Sequence, residues 1–281
     1  MQGRMSEEVD GRIQAFPWPS WREEFPLAEH SGFRLMEWTL DQERLYENPL
    51  MSSAGQEEIR VLMRRHGVTV SSLTGDCFMQ APFWKRSGAE AESLRRDFLA
   101  VMAACAAVGI STIVVPLVDD GRLENSAQEN ALLEFVPCVE SHFDRLGVRV
   151  AFESDFEPTK FRRFIDRFDA RSFGINYDIG NSAALGFDVS EEIAAYGHRI
   201  FSVHVKDRKR GGVTVPLGSG AAAFEAAFAA LAASGYQGNF ILQTARSSEG
   251  DHVGVLRRYR DLATEWLTIA ERRKAVLRDA T

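Results

Sequence analysis

Short apolar runs rich in β-branched residues alternate with longer helical patterns along most of the chain. The apolar runs predict eight strands: Arg12–Phe16, Phe33–Trp38, Val68–Leu73, Ile110–Leu117, Val148–Phe152, Ser172–Tyr177, Ile200–Val205 and Asn239–Leu242. Apolar positions three or four residues apart predict eight helices: Trp21–His30, Gln56–His66, Glu90–Val108, Ser126–Leu146, Pro158–Phe168, Glu191–Tyr196, Ala222–Ala233 and Val253–Arg272. Gly67, Gly109 and Gly147 directly follow three of these helices and are typical helix stops.

The regular alternation of strands and helices predicts the fold class. It favours an α/β protein built as a single (β/α)8 TIM barrel. An open doubly wound sheet would normally carry a GxGxxG turn after its first strand, and the sequence has none there. Because no Pro/Gly/Ser linker interrupts the pattern, we expect one domain over residues 1–281, with residues 1–11 as an N-terminal extension.

Composition and charge exclude several classes of protein. A net charge of −7 and a pI of about 5.5 argue against non-specific binding to nucleic acid. The three cysteines are widely spaced and form no CxxC motif, which favours a reducing compartment. No apolar run reaches membrane-spanning length, and the first residues do not resemble a secretion signal. We therefore expect a cytoplasmic protein that binds a small molecule rather than a membrane or nucleic acid, and a homo-oligomer is compatible with the sequence.

Polar side chains stand at the carboxyl ends of the last four predicted strands: Glu153, Asp178, His204 and Gln243. In a barrel these ends lie on one rim and converge on its axis. One acidic residue at a strand exit is usually solvated or caps the next helix. Four successive exits of this kind instead favour a divalent-metal site with mostly oxygen ligands. That ligand set suits Mn²⁺ best, with Mg²⁺, Co²⁺ and Zn²⁺ as alternatives.

Other polar residues close to these four in the sequence are candidates for substrate binding. Glu37 stands at the exit of the second predicted strand, and Asn181 follows Asp178 by three residues. Lys206 and Arg210 belong to a run of four cations in five residues beside a glycine-rich loop, and Arg246 follows Gln243 by three. Such a run suits a phosphate or another anion. A solvated charged loop explains the run equally well.

Five segments carry a family resemblance: Phe152–Asp155, Tyr177–Asn181, Val203–Asp207, Val215–Gly220 and Gly235–Phe240. Together they resemble the xylose-isomerase-like barrel superfamily of sugar isomerases and epimerases. The nearest likeness is to the group of pentulose-phosphate 3-epimerases and hexulose-phosphate isomerases. The motifs D-I-G-N and H-V-K-D are fairly specific as a pair, and the resemblance spans roughly residues 32–246.

The resemblance implies a divalent-metal-dependent isomerase or epimerase of a ketose or ketose phosphate. Glu153, Asp178, His204 and the residue at position 243 would hold the metal, and Glu153 would be the base in a reaction through a metal-stabilised enediolate. This chain departs from the family at Gln243, where the epimerases generally have a second glutamate. An amide oxygen can ligate a metal but cannot carry a proton.

The glutamine at position 243 leaves alternative functions open. If Glu153 works alone, a one-base aldose–ketose shift fits better than a two-base epimerisation. A metal-dependent dehydratase (a lyase) acting on an inosose- or dehydroshikimate-like substrate also tolerates Gln243. A homologue that binds the metal without turnover is a third interpretation. A DNA-repair endonuclease is disfavoured, because the chain is acidic and has only six histidines.

Overall fold

Seven parallel strands form one sheet in the part of the chain that the computed structural model describes, residues 1–2, 4–9, 11–12 and 15–279. They are β1 (Leu35–Thr39), β2 (Thr69–Thr74), β3 (Thr112–Leu117), β4 (Arg149–Ser154), β5 (Phe173–Asp178), β6 (Ile200–Val205) and β9 (Asn239–Leu242). A short antiparallel pair, β7 (Asp207–Arg208) and β8 (Thr214–Val215), lies between β6 and β9 in the chain. The sheet order β1-β2-β3-β4-β5-β6-β9 follows the order of the chain, as the predicted fold requires.

Ten α-helices join or follow these strands within the described ranges: α1 (Glu24–His30), α2 (Ser53–His66), α3 (Asp76–Gln80), α4 (Gly88–Val108), α5 (Ser126–Leu146), α6 (Pro158–Ile165), α7 (Ile179–Leu185), α8 (Val189–Tyr196), α9 (Phe224–Ser234) and α10 (His252–Asp279). The predicted stops are confirmed. Gly109 and Gly147 take φ angles of 93° and 65° just past α4 and α5, a region open mainly to glycine. Helices α3 and α7 were not predicted, and α6 ends at Ile165 rather than Phe168.

The predicted first strand, Arg12–Phe16, is not a strand in its described part. Ile13 and Gln14 lie outside the described residues, while Ala15 and Phe16 belong to no strand. Arg12 forms only an isolated antiparallel bridge with Val9.

The start of the chain instead pairs with β1. The amino group of Met1 donates to the carbonyl of Leu35 at 3.1 Å, and the amide of Glu37 donates to the carbonyl of Met1 at 2.7 Å. This is the hydrogen-bond pattern of two parallel strands. The carboxylate of Glu24 accepts the amides of Met5 at 3.2 Å and Ser6 at 2.7 Å. These long-range bonds explain why the described N-terminal residues before Glu7 are buried.

Contacts divide the chain into two compact units. The first comprises Met1–Ser154 and Asp166–Gly174. All six residues of its strand β3 are buried, which explains the apolar run Ile113–Val115. Its helices pack through aromatic rings: the Phe135 ring lies 4.8 Å from that of Phe83 and 5.4 Å from that of Phe98, both edge to face.

The second unit comprises Asp155–Ile165 and Ile175–Thr281. Within it, helix α9 stacks Phe224 on Trp266 of α10, with ring centroids 4.4 Å apart. Phe228 of the same helix stacks on Phe240 of β9 at 4.8 Å. Burial of these rings attaches both helices to the strand that precedes Gln243. The prediction of one domain over the whole chain stays a prediction.

Candidate metal centre

Asp178 ends strand β5 and begins helix α7. Its side chain, 3% exposed, caps the helix: the Oδ1 oxygen accepts the amide of Asn181 at 2.8 Å. The Oδ2 oxygen accepts the ammonium group of Lys206 at 3.0 Å. The buried carboxylate of Asp178 is thus fixed at one oxygen by its own motif and at the other by Lys206.

His204 lies on the neighbouring strand β6, in register with Asp178. The imidazole is fully buried, and its Nδ1 atom is 4.0 Å from Oδ2 of Asp178. His204 was predicted from the sequence to be a metal ligand. Its close approach to a buried carboxylate favours the ligand.

Gln243 follows strand β9 directly, and its backbone amide donates to the carbonyl of Val205 at 3.1 Å. The side chain is 2% exposed, and its Oε1 atom is buried with no hydrogen-bond partner among the described residues. Burying an amide oxygen without a partner costs about 1–3 kcal/mol. Such an oxygen is therefore suited to accept a ligand, and a divalent cation fits its chemistry.

Glu153 lies in strand β4, opposite Pro116 of β3, and is 7% exposed. One ligand atom from each of Glu153, Asp178 and His204 lies within 4.8 Å of the others. Two carboxylate oxygens and an imidazole nitrogen at this spacing are a set that a divalent ion can bridge. These three side chains therefore form a potential metal site, while the place of Gln243 in it stays a prediction.

The prediction that Glu37 stands at the exit of a strand is wrong. Glu37 lies in the middle of β1, 1% exposed, where its carboxylate accepts the hydroxyl groups of Ser72 at 2.7 Å and Thr74 at 2.6 Å. Gln2 donates to the same threonine oxygen at 2.9 Å. The carboxylate is therefore built into a buried polar network.

Asn181 and the hairpin β7–β8 are joined by an arginine that the sequence did not single out. Arg208 donates to Oδ1 of Asn181 at 2.9 Å and to the carbonyl of Gly212 through two further nitrogens. Lys206 already joins the H-V-K-D motif to Asp178 of D-I-G-N, and Arg208, which directly follows H-V-K-D, adds a second bond to the same segment through Asn181. The sequence signal was only the position of Arg208 inside the run of cations.

The two remaining predicted anion-binding residues lie in different surroundings. Arg210 is exposed next to Gly186, where a side chain would collide with its guanidinium group. Arg246 is half-buried in the loop between β9 and α10. Their assignment to the substrate stays a prediction.

A sequence model of the xylose isomerase-like TIM barrel family matches residues 25–268. The chain belongs to this family. The resemblance and the α/β TIM-barrel fold class predicted from the sequence are thereby confirmed.

Individual relatives of this xylose isomerase-like chain carry epimerase names. L-ribulose-5-phosphate 3-epimerase UlaE of Salmonella paratyphi C is 28% identical over 235 residues, which cover 79% of this chain and 81% of that protein. A solved L-ribulose 3-epimerase superposes with a TM-score of 0.72 at 18% identity, covering 92% of both chains. The IOLI protein, solved with a bound zinc atom, gives a TM-score of 0.68 at 16% identity and covers 87% of this chain and 90% of that one. At these identities the two structures support the fold alone.

Hydroxyl groups, one of them from strand β5, hold a second buried carboxylate. Glu192 of helix α8 accepts Tyr177 at 3.0 Å, Tyr196 at 2.6 Å and Ser182 at 2.6 Å. Burial raises the pKa of Glu192 above its ordinary value, and the three hydroxyl donors oppose that shift. Since Tyr177 is the neighbour of Asp178 in β5, the cluster fixes the strand that carries a candidate ligand.

Among the described residues, no helix has both the length and the apolar character needed to cross a membrane.

Proposed function

We propose that the protein is a divalent-metal-dependent isomerase or epimerase that acts on a ketose or a ketose phosphate. The observation that carries the proposal is the buried group of Glu153, Asp178 and His204, whose ligand atoms lie within 4.8 Å of one another. The epimerase names of relatives in the same family support the reaction class. The buried amide oxygen of Gln243 supports a fourth ligand.

Glu153, Asp178, His204 and Gln243 would hold the ion. When bound, the ion would supply Lewis-acid stabilisation of the negative charge that develops on the ketone oxygen. Oxygen ligands outnumber the single imidazole, so Mn²⁺ suits the set best, with Mg²⁺, Co²⁺ and Zn²⁺ as alternatives. Because Gln243 is neutral, only two carboxylates would offset the charge of the ion.

Glu153 would take the proton from the carbon next to the ketone, since of the four ligands it and Asp178 alone are carboxylates. Both oxygens of Asp178 already accept a hydrogen bond, from Asn181 and from Lys206, so this carboxylate is held in place by other groups. Gln243 cannot carry a proton. A single base favours an aldose–ketose shift, or another suprafacial transfer in which the proton moves along one face of the substrate, over epimerisation by two acids.

Substrate contacts are proposed for four polar residues that lie near these ligands in the sequence, Asn181, Lys206, Arg210 and Arg246, and for Glu37 of β1. Asparagine and lysine suit sugar hydroxyl and carbonyl groups, while the two arginines suit a phosphate.

The test is exchange of substrate protons with solvent deuterium, followed by NMR for a panel of ketoses and ketose phosphates with added Mn²⁺. We expect exchange at the carbon beside the ketone in the wild-type protein and at least a 100-fold slower rate in Glu153→Gln. That variant keeps the shape of the side chain but removes the base. Glu157→Gln is the matched control, because Glu157 is an exposed glutamate four residues away. Exchange at the wild-type rate in Glu153→Gln would exclude Glu153 as the base.

A dehydratase is the second candidate, favoured by the neutral residue at position 243. Loss of water next to a ketone needs one base and one acid. Glu153 could act first as the base and then as the acid. Including cyclitol ketones of the inosose and dehydroshikimate type in the same NMR panel separates the two reactions, since dehydration yields a new alkene signal. Metal binding without exchange or dehydration for any substrate would favour a homologue without turnover.

A further inference from the structure

The side chain of Lys206 contacts Asp178, one of the candidate metal ligands. It comes two residues after His204, is 8% exposed, and donates from Nζ to Oδ2 of Asp178 at 3.0 Å. The same oxygen lies 4.0 Å from the imidazole of His204. A buried ammonium group therefore stands beside the atoms that would receive a divalent cation.

The fold holds the lysine in this place. A Cβ atom at position 180 would lie 2.8 Å from the backbone carbonyl and the Cγ of Lys206, so only glycine lets helix α7 approach this closely. Asp207, the next residue, is fully buried and accepts the amides of Gly218 and Gly220 at 2.9 Å each. The backbone is thus held in place on both sides of Lys206.

We propose that Lys206, besides the substrate contact proposed above, weakens metal binding at the site by placing a positive charge beside Asp178. The inference rests on the proposed metal site. Oδ2 has two lone pairs, so it can accept the lysine and still face an ion. The ammonium charge then repels the ion at short range in a poorly solvated environment.

The charges of the site set the direction of the effect. Two carboxylates, one neutral imidazole, one neutral amide and one ammonium group leave a net charge of about −1 around a divalent ion. Removing the ammonium doubles that negative charge. Lys206 is thus a positioning residue that acts through Asp178: it keeps the ion loosely held and poorly neutralised, which strengthens its pull on a ketone oxygen.

The test is calorimetric titration of the full-length, EDTA-treated and dialysed protein with MnCl₂. We expect Lys206→Met to bind Mn²⁺ at least about tenfold more tightly than the wild type, because an adjacent repelling charge is gone. Lys209→Met is the matched control, since Lys209 is exposed in the same run of cations and its loss should leave the dissociation constant unchanged. Lys206→Gln, which can still donate a hydrogen bond to Asp178, carries the same expectation and serves if the methionine variant does not fold.

The outcomes separate this inference from the proposed function. Absence of Mn²⁺ binding by the folded wild-type protein would overturn the metal site itself. Binding by the wild type with equal or weaker binding by the Lys206 variants would overturn only the role of Lys206. Failure of both variants to fold would show that the ion pair is needed for folding, and would also overturn a role in tuning affinity. A purely structural lysine, or one that only binds substrate, predicts a changed melting temperature or KM with an unchanged metal affinity.

Discussion

The loop after β6 should depend on one buried carboxylate, which Asp207→Asn would neutralise. Asp207 is fully buried. Its Oδ2 atom accepts the amides of Gly218 and Gly220 at 2.9 Å each, and Oδ1 accepts the amide of Ala222 at 3.1 Å. One side chain therefore binds three amides of this glycine-rich segment, in addition to the backbone pairing of β7 with β8. A Cβ at Gly220 would lie 2.2 Å from Oδ1, so the fit leaves no spare room.

The size of the effect follows from these three bonds. An asparagine can turn its carbonyl oxygen toward Gly218 and Gly220, but its NH₂ group then faces the N–H of Ala222. Hydrogen bonds to a charged group contribute about 1.5–3 kcal/mol each, and a buried donor without a partner costs about 1–3 kcal/mol. Removing a buried charge returns part of its desolvation cost. We expect Asp207→Asn to lower the free energy of unfolding by about 3 kcal/mol, on the order of 100-fold in the equilibrium constant.

Two measurements check this expectation. Urea denaturation gives the free energy of unfolding, and hydrogen–deuterium exchange reports the amides of residues 218–222, which should exchange faster in the variant. Asp188→Asn is the matched control. Asp188 is exposed and caps α8 through the amides of Ser190 and Glu191, and asparagine caps about as well, so the change should stay below about 1 kcal/mol. An Asp207→Asn protein as stable as the wild type, with unchanged exchange, would refute this account of the loop.

Two further changes probe the surroundings of Asp178. Gly180→Ala places a Cβ 2.8 Å from the backbone carbonyl of Lys206. We expect a loss of about 1–3 kcal/mol by chemical denaturation, and a variant at least as stable as the wild type would contradict the close approach. Burial raises the pKa of Glu192 above 4.5 in the folded protein. The folded state therefore binds this proton more readily than the unfolded state, and the stabilisation is complete below pH 4.5 and is lost as the pH rises through the raised pKa. Relative to Glu192→Gln, the wild type should gain stability as the pH falls towards 4.5 in urea titrations, and a constant difference would contradict burial as the cause.

Local patterns in the sequence were enough for the alternation of strands and helices. Apolar periodicity located the helices that end at His66, Val108 and Leu146. Their ends were predictable because the glycine after each one can adopt the left-handed conformation that terminates a helix. The chain order of strands and helices also limited the fold to a parallel α/β architecture. The prediction of a strand at Arg12–Phe16 was wrong, and Met1 pairs with β1 instead. Which of two segments pairs with a sheet edge depends on contacts between residues that are distant in the sequence.

What the sequence by itself determined, then, was the fold class and which polar side chains stand at the ends of neighbouring strands, Asp178 and His204 among them. Both follow from local preference, because a strand's length and direction decide where its last side chain goes. Only the tertiary structure decided what those side chains bond to. Lys206 reaches Asp178 across 28 residues, and Asp207 turns away to hold a loop 11 to 15 residues further on. Two adjacent residues of one motif thus bond to different parts of the chain, a carboxylate for Lys206 and backbone amides for Asp207. A buried charge needs hydrogen-bond partners, and the tertiary structure decides which groups lie close enough to supply them.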